Sequence, residues 1–132
     1  MTRINLVPVM ELSDQHLLAE YRELPRMSGF ASKTVQKIEN IPENYKLNKG
    51  HMTFFLDKAT YLEKRHVDIV NELKRRGFNL TIDEPFLMNR RFPQIDDWKP
   101  SYPEIQVSRQ RIQEKLDLKP DFYRWTNYES IS

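Results

Sequence analysis

The chain has 132 residues, 39% hydrophobic and 30% charged, with a formal net charge of +2. That leaves room for one modest core, so residues 1–132 read as a single domain, and it excludes a histone-like polycation. Cysteine is absent, which excludes disulfides, thiolate zinc sites and iron–sulfur clusters. The His residues do not fall at a metal-ligand spacing, so neither metal nor cofactor is expected. No run is apolar enough for a membrane span or a secretion leader, which points to a cytoplasmic protein.

Residues 1–12 are short and mixed, and Pro8 discourages early helix. Ser13 then offers an N-cap ahead of Asp14, opening a first helix. Leu17, Leu18, Tyr21 and Leu24 share one face, with His16, Glu20, Glu23 and Arg26 around the other. Pro25 removes a backbone donor and should kink or break the helix before it resumes near Phe30. Val35 and Ile38 continue the stripe until Asn40-Ile41-Pro42 stops it. A long, bent first helix is expected.

Residues 40–57 read as a connecting loop, punctuated by Pro42, Asn44, Asn48 and Gly50. Within it Met52–Leu56 could form a short strand, but apolar filler seated against the helices is preferred. From about Lys58 to Arg76 the period is helical again, with Leu62, His66, Ile69, Val70 and Leu73 on one face. Lys74, Arg75 and Arg76 crowd its last turn before Gly77, a C-terminal stop. Dipole complementation and a DNA-facing role explain that triplet equally well.

Residues 78–101 carry Pro85, Pro93 and Pro100 and read as an irregular wrap, with Phe86, Leu87, Phe92 and Trp98 tacked onto the core. Arg90-Arg91 is its one charge pair of interest. Ser101, Pro103 and Glu104 open a third helix that buries Ile105, Ile112 and Leu116 and ends at Lys119-Pro120. An aromatic and basic tail follows, Phe122-Tyr123-Arg124-Trp125. The expected fold is all-α, a compact domain of three main helices with long irregular connections.

Threonine at position 2 is small enough for Met1 to be removed, which would leave a free α-amine on Thr2. An α-amine titrates near ~8, against ~10.4 for lysine, so about a tenth of it is nucleophilic at neutral pH. Such a group can form a Schiff base and supply covalent catalysis without thiol, serine triad or metal. A carboxylate nearby, as Glu23 would be, can stabilise the imine and assist proton removal. Taken alone, a glutamate on a helix surface is usually only solvated. Arg3, Arg22 and Arg26 would add positive charge for phosphates and would lower the amine's pKa, though ordinary ion pairing explains them as well. His16, seven residues before Glu23, shares its face and could equally be a polar cap.

The segments Thr2-Arg3-Ile4-Asn5-Leu6, Asp14-Gln15-His16-Leu17 and Ala19-Glu20-Tyr21-Arg22-Glu23-Leu24-Pro25-Arg26 resemble the phage-type pyrimidine-dimer DNA glycosylase. This is the small repair enzyme often called endonuclease V of the dimer-excision type. Gly50–Lys58 and the run ending Lys74-Arg75-Arg76-Gly77-Phe78-Asn79 extend the likeness over most of the chain. The resemblance implies that the Thr2 amine attacks the deoxyribose carbon bearing the damaged pyrimidine and releases the base. Glu23 would then support β-elimination at the abasic site. It also implies a monomer acting on double-stranded DNA that contains cyclobutane dimers.

DNA contacts are expected from Arg3, His16, Arg22, Arg26, Arg90, Arg91, Tyr123, Arg124 and Trp125. A planar ring and a cation suit exposed bases, while Phe122 and Trp125 could instead pack the tail onto the helices. The family's tail is richer in tyrosine and lysine, and its loop near 40–50 is longer. Substrate range is therefore where departure is expected. The competing readings are a non-catalytic helical DNA-binding module, or an abasic-site lyase with little glycosylase activity.

Overall fold

The computed structural model describes residues 4–33, 41–47, 50–80, 86–87 and 97–126, with backbone alone for 31–33. Among them a 3-10 turn at Val9–Glu11 precedes α1 (Asp14–Glu23), α2 (Arg26–Lys33), α3 (His51–Phe54), α4 (Ala59–Arg75) and α5 (Tyr102–Leu118). The described chain contains no strand, so the all-α expectation holds. Thr2, Arg3, Val35, Ile38, Arg90, Arg91 and Phe92 lie outside the described residues.

Local chemistry sets the ends of α1 and α2. The Ser13 hydroxyl accepts from the His16 N–H at 3.1 Å, satisfying a donor that has no partner within the helix. Pro25 interrupts the ladder, yet the chain re-enters helix at Arg26, earlier than Phe30. Met27 N–H to Leu24 O (3.0 Å) and Ser28 N–H to Pro25 O (3.2 Å) bridge the break. Leu17, Leu24 and Met27 are fully buried across it, so the interrupted rod keeps one apolar face on the core.

The stretch around Met52 is neither strand nor shapeless filler. It contains the single helical turn α3, started by Gly50 in a left-handed conformation (φ 97°). A side chain at Gly50 would be strained by that angle and would bring its Cβ to 3.3 Å from Pro42. Phe54, Phe55 and Leu56 then fill the centre of the core, 0–1% exposed.

Helix α4 packs against α1 and buries Leu62, Ile69 and Leu73. It ends as its sequence suggests: Gly77 (φ 94°) donates to Lys74 O and Phe78 to Leu73 O, each at 3.0 Å. That paired closure needs a residue with positive φ. Helix α5 begins with a full capping box between Ser101 and Glu104 and buries Ser108 and Ile112. Trp98 packs edge-on against Phe54 and Tyr61, and Phe86 lies against His66. Leu87, expected on the core, is 73% exposed.

Two buried ionic hubs tie these helices together. Arg65 donates to Glu20 from Nε at 2.8 Å and to the Val7 carbonyl from Nη1, joining α4 to α1 and the N-terminal segment. Burial works against the Arg65 charge, but Glu20 outweighs it and holds the guanidinium above its ordinary pKa. The second hub resolves the basic triplet in part. Arg76 is only 3% exposed and binds Glu72 (2.8 Å) and Asp14 (2.9 Å), while Arg75 also pairs with Glu72. Arg76 is thus committed inside the fold, Arg75 is paired while partly exposed, and Lys74 is the exposed member.

This hub makes stability acid-sensitive. Burial opposes the Asp14 charge, but hydrogen bonds from Thr126 and Arg76 and the Arg76 charge hold its carboxyl below the usual range. Glu72 is lowered too, first by the Arg75 hydrogen bond and then, against burial, by Arg76. Depressed carboxyl pKa values contribute stability that is fully present above the unfolded value, near ~4, and lost as pH falls through the folded values. Thermal melts from pH 5 to pH 2 should show a falling Tm, with a shallower fall in Asp14→Asn. A flat profile would contradict the assignment.

Candidate active site

Residues 16, 20 and 23 are spaced four and three apart, which stacks their side chains along one edge of α1. Facing them are Arg111 and Lys115, one turn apart on α5. Between the helices lies a cleft of about 200 Å³, lined by these five side chains together with Asn5, Ala19 and Ile112. The N-terminal segment thus runs along one wall of the cleft.

The two carboxylates have different duties. Glu20, 1% exposed, accepts from the Asn5 side-chain amide at 2.9 Å and from Arg65, so both its oxygens are engaged in structure. Glu23, one turn on and half-buried, is the other carboxylate at the cleft. Arg111 and Lys115 supply the positive wall. The Arg111 Nε is buried without a hydrogen-bond partner among the described residues. A desolvated guanidinium nitrogen with no acceptor is complemented by an anion entering the cleft.

His16 reports the electrostatics of the same space. Burial lowers its pKa first, and Lys115 and Arg111 lower it further, against an opposing pull from Glu20. The imidazole is therefore neutral at physiological pH, and its Nδ1 sits 3.0 Å from Ser13 Oγ. A proton NMR titration should place the His16 midpoint below 6.5, and Lys115→Ala should move it upward. A midpoint at or above 6.5 would contradict the burial of the ring, and a midpoint that Lys115→Ala leaves in place would show that this cation does not act on it.

The C-terminal tail is fastened beside this site rather than loosely appended. Gln15 Nε2 donates to Phe122 O (2.7 Å), and Arg124 N–H donates to Gln15 Oε1 (3.0 Å). Asp14 N–H donates to Arg124 O at 2.6 Å, and Trp125 Nε1 to Glu11 O at 3.0 Å. Tyr123 stacks on His16 with ring centroids 4.6 Å apart. Phe122 and Trp125 remain about half exposed, so neither is core.

Of the residues singled out in the sequence, His16 and Glu23 meet at the cleft, and Tyr123 reaches it through His16. Arg22 and Arg26 are exposed on α1 and α2 and do not line it, and Arg124 and Trp125 are exposed on the tail. Thr2, Arg3, Arg90 and Arg91 lie outside the described residues. Arg111, Lys115 and Asn5 went unrecognised in the sequence. A basic pair four apart beside buried Ile112 was the one available signal for the first two.

A carboxylate, a neutral imidazole and two cations around one cleft suit chemistry on an anionic, phosphate-bearing substrate. Comparison with known families makes that class specific, placing the protein among the DNA glycosylases of damage repair. The pyrimidine dimer DNA glycosylase family model matches residues 1–84, more than half of the chain, and the protein belongs to that family. Its substrate is accordingly DNA. Arg111, Lys115 and the tail lie beyond the matched stretch. Among the described residues no helix is long and apolar enough to cross a membrane.

Proposed function

We propose that this protein excises cyclobutane pyrimidine dimers through a Schiff base on the Thr2 α-amine and then nicks the abasic site as a lyase. After Met1 is removed, the Thr2 nitrogen attacks the sugar C1′ and the glycosidic bond breaks, its electron pair leaving with the base. The sugar ring opens to an imine. Loss of a C2′ proton, assisted by Glu23, forms the C2′–C3′ double bond and expels the 3′ phosphate. Water then hydrolyses the imine and returns the free amine. The protonated imine is the electron sink, so the reaction should run undiminished in chelator.

The observation that carries this reading is the cleft itself, where Glu23 faces Arg111 and Lys115 beside the emerging N-terminal segment. Arg111 and Lys115 would clamp the phosphates flanking the lesion, with Arg3, Arg22, Arg26, Arg90 and Arg91 extending the contact along the backbone. Tyr123, Arg124 and Trp125 would meet exposed bases, and His16 the opened sugar. Extruding a nucleotide costs a few kcal/mol, least where stacking is already damaged. The protein would act as a single-domain monomer, in the cell compartment that holds the DNA.

Duplexes carrying one dimer or one abasic site test the reading. Both should be cleaved, and borohydride should trap a covalent adduct with either. Cleavage of abasic DNA alone would reduce the protein to a lyase, and binding without cleavage to a recognition module. Arg111→Ala should weaken binding and reduce the slope of log affinity against log salt by about one, as expected when one phosphate is no longer neutralised. An unchanged slope would remove Arg111 from the DNA interface.

A further inference from the structure

Ile4, two residues beyond Thr2, has both of its backbone polar groups taken by side chains from residues 45–51. Its N–H donates to His51 Nε2 at 2.8 Å, and its carbonyl accepts from the Tyr45 hydroxyl at 2.8 Å. Ile4 is 0%, His51 1% and Tyr45 6% exposed, so water does not compete for either bond. Such side-chain capture of an isolated backbone unit is a costly way to satisfy it, since two polar side chains must be buried to do so.

The clamp has its own supports. His51 Nδ1 lies 2.6 Å from the Lys46 carbonyl, which can only accept, so Nδ1 carries the hydrogen and Nε2 is left to receive the Ile4 N–H. Tyr45 N–H donates to Glu104 Oε2 at 3.1 Å, fastening the loop to the capping box of α5. Tyr45 also meets His51 edge-on, with centroids 5.4 Å apart. Leu6 N–H donates to Ser108 Oγ at 2.9 Å, so the next residues stay tied to α5, the helix that carries Arg111 and Lys115.

We infer that His51, aided by Tyr45, is a positioning residue: by fixing Ile4 it delivers the N-terminal amine to the cleft between α1 and α5. The inference rests on the proposed role of the Thr2 amine. Two residues of extended chain span at most ~7 Å, so an anchored Ile4 leaves the amine a small volume to explore. Nothing in this role touches substrate; its effect is on the geometry of attack, where misplacement by about 1 Å can cost as much as 100-fold in rate.

The test is single-turnover borohydride trapping on abasic DNA, read beside affinity for an uncleavable tetrahydrofuran-site duplex. His51→Phe keeps a ring of similar volume and loses the acceptor; trapping should slow about 30- to 100-fold while affinity stays near wild type. His51→Gln restores an acceptor near the Nε2 position and should recover most of the rate. Should His51→Phe not fold, Tyr45→Phe removes one hydroxyl and should slow trapping about tenfold. Trapping at the wild-type rate in these variants overturns the inference while leaving the Thr2 reading intact. Parallel loss of affinity and rate, or no rescue by glutamine, also overturns it, by reducing His51 to a core residue. No adduct with the wild-type protein would defeat the underlying amine reading itself.

Discussion

Glu23→Gln is expected to all but abolish strand nicking while leaving DNA binding in place. Glutamine keeps the side chain's size, so the cleft retains its shape, but it can neither accept the C2′ proton nor offset the charge of an iminium. Positioned acid–base groups typically contribute about 10²- to 10⁴-fold, and a loss in that range is expected in single-turnover cleavage of abasic DNA. Affinity should hold or tighten, because a carboxylate beside Arg111 and Lys115 repels the phosphates that those cations attract. Glu20→Gln would not substitute for this experiment, since Glu20 is bonded to Asn5 and Arg65 and its loss disturbs the fold. A Glu23→Gln protein that nicks within a few-fold of wild type would remove this residue from the chemistry.

The largest stability effect is expected at Arg65. Replacement by methionine leaves Glu20, 1% exposed, without its cation, and takes the donor from the Val7 carbonyl. Removing one partner of a buried pair typically costs about 3–5 kcal/mol. For a chain of this size that corresponds to a fall in Tm of roughly 10–20 °C. The double variant Glu20→Gln/Arg65→Met should recover part of the loss, because the uncompensated buried charge is gone. Urea unfolding of the two singles and the double measures the coupling, and an Arg65→Met cost under about 1 kcal/mol would show that Glu20 is satisfied without it.

The elements that could be read in the sequence are those set by local chemistry. Ser13 and Ser101 announce N-caps, Pro25 announces the break between α1 and α2, and Gly77 announces the end of α4. Each acts on backbone groups within a turn of itself, so a window of a few residues contains the whole cause. The single turn α3 could not be read in this way, because four residues do not sustain a helix unaided and Phe54 is held there by the core.

Charge was harder to read than hydrophobic spacing. Glu20 has the periodicity of a solvent-facing residue, but Arg65, 45 residues further on, draws it inside. Arg75 and Arg76 stand in a basic run that suits a nucleic-acid surface, yet Glu72 and Asp14 draw Arg76 into the fold and Glu72 also pairs with the partly exposed Arg75. The same limitation hid half of the cleft. His16 and Glu23 lie on one helix and could be associated by spacing alone, whereas Arg111 and Lys115 join them only through the packing of α5 against the N-terminal segment.

Peptide mapping of the borohydride-reduced adduct addresses the central claim most directly. Lys115 lines the cleft and carries an amine of its own, so it is the competitor of the proposed Thr2 nitrogen for the trapped sugar. With abasic or dimer-bearing DNA, the reduced sugar should be found on an N-terminal peptide that begins at Thr2, and adding one residue ahead of Thr2 should abolish it. A sugar carried on Lys115, or an adduct that persists with the α-amine blocked, would contradict the mechanism.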